Sequence, residues 1–126
     1  MKRLLIASAL LAALLAGTAA NAQFIDGLTD DLSLRLEQAQ ELVREDRWEE
    51  ALSHTLEARR LWQDHTLYLY VVTRHGDADR ICRGFETALE LLERRSTAEY
   101  AHVNTDLMVQ LELLAEAEQP TLANIL

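Results

Sequence analysis

Apolar residues at helical spacing in the segment 46–62, DRWEEALSHTLEARRLW, place the strongest constraint on the fold of this chain. Trp48, Ala58 and Trp62 fall on one stripe of a helix, while the acidic residues lie largely off it. We predict a helix from Asp46 to Trp62, with Asp46 as its cap. Because only one face is apolar, this helix needs partner helices. The full predicted stripe is Trp48, Ala51, Leu52, Thr55, Ala58 and Trp62.

The same periodicity predicts three further helices, at about 31–45, 77–95 and 97–118. Ser96 and Glu99 have the spacing of a capping box before the last of them. Gly84 lies inside the 77–95 helix, where it predicts close contact with a neighbouring helix. The short turn at Glu45–Arg47 favours an antiparallel hairpin of the first two helices. The predicted stripes are Leu32, Leu36, Ala39, Leu42 and Val43; Ala78, Ile81, Cys82, Phe85, Ala88, Leu89 and Leu92; and Tyr100, Val103, Leu107, Leu111 and Leu114.

The segment 67–75, LYLYVVTRH, is ambiguous because its tyrosines and valines favour strands and its apolar run is continuous. No second strand-like run is present to pair with it, and a lone strand leaves its backbone groups unpaired. We therefore predict a short buried helix, ended by Gly76 and followed by Asp77 as the next cap. The fold class predicted is all-α, a small antiparallel bundle of about five helices.

The first 22 residues have the character of a secretory signal: basic Lys2 and Arg3, an apolar run from Leu4 to Ala16, and small residues at the end. We predict cleavage after Ala22 and a periplasmic location; the alternative is an uncleaved anchor, although the apolar run is short for a span of about 20 residues. The remaining predicted parts are a leader at 23–30, one helical domain at 31–119 and a tail at 120–126 that docks on the domain or serves for attachment.

The charge of the chain limits its partners. Cleavage would remove two basic residues and no acid, which lowers the formal net charge from −9 to −11. Such a chain is unsuited to nucleic acid or anionic membrane surfaces, which attract basic patches. Cationic peptides, basic proteins or metal cations are the compatible partners.

Two short stretches have related patterns, thirty residues apart: Arg44, Ala58 and Leu61 correspond to Arg74, Ala88 and Leu91. The segment 39–61 resembles a tetratricopeptide repeat through Ala39, through Ala58 and through the WEEA that opens its second helix. The second unit resembles it through Gly76, Asp77, Phe85 and Ala88, but departs at Ala78 and Ile81. A generic helical bundle is the alternative reading.

The resemblance implies two hairpins, a capping helix and a peptide-binding groove over about residues 33–92. The residues that it places in the groove are Gln40 and Arg44 in the first helix and Tyr70 and Arg74 in the third. Two arginines one repeat apart suit a carboxylate. Ordinary exposed charges are the alternative interpretation.

Residues able to perform chemistry are sparse. No phosphate loop, nucleophile elbow, paired-cysteine motif or haem attachment motif occurs, so we predict no enzymatic activity and no cofactor. The predicted function is a non-enzymatic, exported domain that binds another protein in the bacterial cell envelope. The alternative is a metal-handling or stress-related bundle, although no metal site is assigned. Its ligands would come from His54, His65, His75, His102, acidic residues and Cys82, the single cysteine, which we otherwise expect to be a buried small hydrophobe.

Overall fold

Five helices make up nearly all of residues 1–119, the part that the computed structural model describes. No strand occurs in that part, so the all-α prediction is confirmed, including a helix over the ambiguous segment near Tyr70. The prediction that this helix is buried is wrong, because Leu69 is its one buried residue and Leu67 and Val71 are largely exposed. The helices are α1 (Lys2–Arg44), α2 (Trp48–Asp64), α3 (Thr66–Val72), α4 (His75–Arg94) and α5 (Thr97–Ala117). The predicted tail at 120–126 lies outside the described residues.

The four long helices form a closed antiparallel ring. Helix α1 packs against α2 and α5, and α4 packs against the same two helices. Two short turns, one between α1 and α2 and one between α4 and α5, lie at the same end of the bundle, which we call the turn end. Helix α3 carries the chain across the opposite end, from α2 to α4. We call that the α3 end.

The core follows the predicted stripes and divides into two clusters along the bundle. The cluster at the α3 end contains Ile25, Leu28, Leu32, Leu36, Ala58, Trp62, Leu69, Ala78, Ile81, Phe85, Leu107, Leu111, Leu114 and Ala115. The cluster at the turn end contains Ala39, Val43, Trp48, Ala51, Ala88, Leu91, Leu92 and Tyr100. Burial of such stripes is the main source of stability for a bundle that has no internal disulfide.

The predicted leader at 23–30 is wrong as a structural description, and so is the predicted start of the first helix at Asp31. Residues 23–30 are helical, and Ile25 and Leu28 are buried in the α3-end cluster. These two residues extend the stripe of Leu32 and Leu36 backwards by two turns, so burial outweighs the helix-breaking tendency of Gly27.

Asp46 was predicted to cap the second helix, and this is wrong. Asp46 has a positive φ of 60° and lies two residues after the last residue of α1, beyond the C-cap Glu45. Its N–H donates to the carbonyl of Val43 at 3.0 Å, and the N–H of Arg47 donates to that of Leu42 at 2.8 Å. This is the hydrogen-bond pattern of a Schellman motif. Helix α2 then begins at Trp48, with Arg47 at its N-cap and no side-chain cap bond.

The α4–α5 turn repeats this arrangement, with Arg95 at φ 56° and the N–H of Ser96 donating to the carbonyl of Leu91 at 3.1 Å. Ser96 is the N-cap of α5 as predicted, but its side chain makes no cap hydrogen bond. Gly76 and Asp77 do not separate two helices as predicted. They lie in the first turn of α4, which follows the extended residue Arg74.

The N-terminal part of α1 projects beyond the bundle. It contains a window of 18 residues with a mean hydropathy of 1.9, none of it buried, near the N-terminus. By length and composition this is the one helix in the described residues able to cross a membrane, and a signal sequence has the same properties.

Candidate functional site

Gln40 and Arg44, two of the four predicted binding residues, lie near the turn end of α1. Gln40 is half-buried, and its side-chain oxygen accepts a hydrogen bond of 3.0 Å from Asn104 Nδ2 on α5. Asn104 is fully buried and also donates to the carbonyl oxygen of Leu36 at 3.0 Å. Arg44 is exposed and pairs with Glu41 on its own helix. Gln40 therefore serves the packing of α1 against α5.

Tyr70 and Arg74 lie at the α3 end. The Tyr70 hydroxyl donates to Asp79, and its ring meets the ring of His75 edge-on at 5.3 Å. The hydrogen bond to Asp79, followed by burial, raises the pKa of Tyr70 to about 12. Arg74 is exposed just before α4. Burial raises the pKa of the Glu118 carboxyl, and the charge of Arg74 offsets only part of that increase.

The structure does not bring these four residues together. Gln40 and Arg44 lie beside the turn-end cluster, whereas Tyr70 packs against the α3-end cluster. The two pairs are separated because α2 carries the chain along the bundle between them. Of the four residues, Tyr70 and Arg74 both lie at the α3 end.

An apolar surface adjoins Tyr70 at the α3 end. Leu67 is 83% exposed and Val71 is 77% exposed, one turn apart on α3, and Phe24 and Tyr68 are each 39% exposed. The rings of Phe24 and Tyr68 meet edge-on at 5.1 Å, and the Tyr68 hydroxyl donates to Asn21. We call Phe24, Leu67, Tyr68 and Val71 the α3 patch.

A second surface is an open groove of about 510 Å³ between α1 and α5. Its apolar lining comes from Met108, Val109 and Ala115, and every charged residue that lines it is acidic. We call this the α1–α5 groove. Its lining residues are Asp26, Thr29, Asp30, Ser33, Glu37, Thr105, Met108, Val109, Glu112, Ala115, Glu116 and Gln119.

Sequence reasoning missed this groove, although a signal for it exists. Asp26 and Asp30 lie four residues apart on α1, and Glu112 and Glu116 lie four apart on α5. Each pair therefore shares one helix face. Only the packing of α1 against α5 shows that the two acidic faces border the same groove.

The histidines and Cys82 are distributed over the bundle. Cys82 is partly buried against the α3-end cluster, and Trp62 Nε1 donates to its sulfur at 3.1 Å. His65 packs beside Phe24, with ring centroids 5.3 Å apart. Within residues 1–119, no three histidine, cysteine or acidic side chains are placed to hold a metal ion.

Comparison with known proteins gives one family. No curated protein and no solved structure matches the chain. One family model matches most of the chain and includes all of α2 to α5. The chain belongs to the family described as a domain of unknown function, DUF4363, whose model matches residues 20–125.

Proposed function

We propose that this chain is an exported, non-enzymatic helical domain that binds another protein in the bacterial cell envelope. The observation that carries the proposal is the α3 patch. A bundle of this size has already covered its stripes with one another, yet Leu67 and Val71 remain exposed on the same face of α3. Clustered aliphatic and aromatic surface of this kind marks interaction sites.

Burial of this patch supplies a reason for association. Complete burial of an aliphatic side chain contributes about 1.5–3 kcal/mol relative to full exposure. Leu67 and Val71 are more than three quarters exposed, so most of that gain is available to a partner. Tyr68 and Phe24 add aromatic edges, and aromatic residues are enriched in protein interfaces. Arg74 provides a nearby exposed cation for a carboxylate of the partner.

Export is supported by the N-terminal segment. Lys2 and Arg3 precede an apolar helix that the bundle leaves exposed, and small residues stand at Ala20 and Ala22. The family match begins at residue 20, beyond the apolar run from Leu4 to Ala16. Mass determination of the protein recovered from the periplasm tests this part of the proposal. A chain that begins at Gln23 is the expected result, and a full-length chain in the membrane fraction contradicts it.

Pull-down from the envelope fraction tests the binding role. The Leu67→Ser/Val71→Ser variant should lose the partner recovered with the wild-type chain. Leu34→Ser is the matched control, because Leu34 is 52% exposed on α1 and lies outside the patch. Recovery that is equal for all three chains rejects the α3 patch as the binding surface.

The arginines distinguish the two halves of the predicted groove. Arg74→Ala should weaken recovery of the partner, because Arg74 adjoins the α3 patch. Arg44→Ala should leave it unchanged, because Arg44 lies towards the other end of the bundle. Metal handling is the alternative predicted from the sequence, and no observation in the described residues favours it. Elemental analysis of the purified chain tests that alternative directly.

A further inference from the structure

We infer that the α1–α5 groove is a second docking surface, for an amphipathic helix of a partner protein that carries regularly spaced lysines or arginines. The inference is independent of the α3 patch, since the groove and the patch share no lining residue. It combines three observations: the apolar lining, the charge of the groove and the fixed separation of the two helices.

The groove is a seam between two packed antiparallel helices, the geometry into which a third helix fits. Asp26 and Glu37 are the outermost α1 residues of its lining, and a helix rises 1.5 Å per residue. The groove is therefore roughly 16 Å long, enough for about three turns of a bound helix.

The separation of the two helices is fixed from inside the bundle. Asn104 on α5 donates to the Leu36 carbonyl and to Gln40 on α1. Leu32 on α1 and Leu107 and Leu111 on α5 belong to one core cluster. A partner thus meets a preformed groove, which lowers the entropy lost on binding.

The lining supplies apolar contacts for such a helix. Val109 is 45% exposed, and Met108 is partly buried beside it. Methionine is unbranched and polarizable, so it adapts to different side chains of a partner. Ala115 completes the apolar lining, although most of its own surface is buried in the core.

The charges determine which helix is accepted. None of Asp26, Asp30, Glu37, Glu112 and Glu116 takes part in an ion pair within residues 1–119. Like charges four residues apart on a helix repel each other, and a cationic partner relieves that repulsion. Lysines or arginines every four residues repeat at roughly 6 Å, the interval of the carboxylates on each wall.

Fluorescence anisotropy with two synthetic helical peptides tests the inference. The peptides have the same apolar stripe, which is flanked by lysines in one peptide and by glutamates in the other. The lysine peptide should bind the purified chain and the glutamate peptide should not. The groove variant Asp26→Asn/Asp30→Asn/Glu112→Gln/Glu116→Gln should bind the lysine peptide at least about tenfold more weakly, because four partly exposed charge pairs with the peptide are lost.

A matched charge control separates a specific site from general attraction. Glu49→Gln/Asp64→Asn/Glu93→Gln/Glu99→Gln changes the net charge by the same amount at exposed positions outside the groove. This variant should bind the lysine peptide within about twofold of the wild-type affinity. Circular dichroism establishes that both variants remain folded.

Three results would overturn the inference: no binding of the lysine peptide, equal weakening in the two charge variants, or weakening by Leu67→Ser/Val71→Ser. The last result would move the site to the α3 patch. If the Leu67→Ser/Val71→Ser variant loses the pull-down partner but still binds the lysine peptide, both surfaces are supported. Failure of the proposed function and failure of this inference are therefore distinguishable.

Discussion

Gly84 on α4 lies directly opposite Leu107 on α5: a Cβ built at Gly84 would come within 2.8 Å of Leu107 Cδ1. Leu107 is 1% exposed, so its side chain has little space to move away. This confirms the close helix contact predicted from a glycine inside a helix. The absence of a side chain at position 84 allows α4 and α5 to pack at this distance.

Gly84→Ala should lower the free energy of unfolding by about 1 kcal/mol, because overpacking of about 1–3 kcal/mol outweighs the gain in helix propensity. Gly27→Ala is the control: nothing lies within 4 Å of its Cβ position, so it should raise stability by about 0.5–1 kcal/mol. Urea unfolding measures both. Equal stabilisation by the two substitutions would show that the Gly84 contact is not constraining.

Gln40→Ala should lower stability by about 1 kcal/mol, because Asn104 loses one of its two hydrogen-bond acceptors inside the bundle. Asn104→Ala should cost more, since it also leaves a cavity. Arg44→Ala should cost less than about 0.5 kcal/mol because its pair with Glu41 is exposed. A double-mutant cycle on Gln40 and Asn104 should give a non-zero coupling, and additive effects would contradict the structural role of Gln40.

Tyr100 should make stability depend on alkaline pH. Burial raises the pKa of its phenol to about 12, an effect that the neighbouring Thr55 hydroxyl opposes. As pH rises, the unfolded chain therefore loses this proton first, near pH 10. The stability that protonated Tyr100 contributes is fully present below about pH 10 and is lost as pH rises through about 12. Denaturation between pH 8 and 12 should show this fall in the wild type. Tyr100→Phe should remove part of this pH dependence of stability. The rest should remain, because the hydrogen bond to Asp79 raises the pKa of Tyr70 as well.

Arg95→Gly should raise the free energy of unfolding by about 0.5–1 kcal/mol. Arg95 has a φ of 56°, a left-handed conformation that disfavours residues with a Cβ by roughly 1–2 kcal/mol. Part of that gain is offset by the greater freedom of glycine in the unfolded chain. Arg95→Ala removes the same charge without relieving the backbone, so thermal unfolding should show no stabilisation for alanine. A gain for alanine as large as that for glycine would assign the effect to charge.

The helices were predictable because their signals are local. Each stripe, such as Tyr100 to Leu114, repeats at the period of a helix, and the structure buries most of its members. The segment with Tyr68 and Tyr70 was resolved by elimination, since it had no strand to pair with. The predicted start of α2 failed because Asp46 suits an N-cap and a left-handed helix end equally well, and only the hydrogen bonds of the turn choose between them.

The functional surfaces were less predictable, because residues far apart in the chain form them. Gln40 and Tyr70 occupied equivalent positions in a repeat pattern, yet the bundle places them towards opposite ends. Tyr70 was placed in a predicted binding groove, but the exposure of its neighbours Leu67 and Val71 was not predicted, because their helix was expected to be buried. The α1–α5 groove was not predicted either, because the acidic pairs on the two helices each resemble an ordinary solvated face when taken alone.

Local order in this protein therefore follows from the spacing of its residues: apolar stripes produce helices, and short turns make consecutive helices antiparallel. The closure of the ring does not follow from spacing. The hydrogen bond from Asn104 to the Leu36 carbonyl joins residues 68 positions apart, and no periodicity in either segment specifies that contact. Packing of α1 against α5 placed two acidic faces on one groove, because burial of the two apolar stripes against each other leaves their flanking carboxylates side by side.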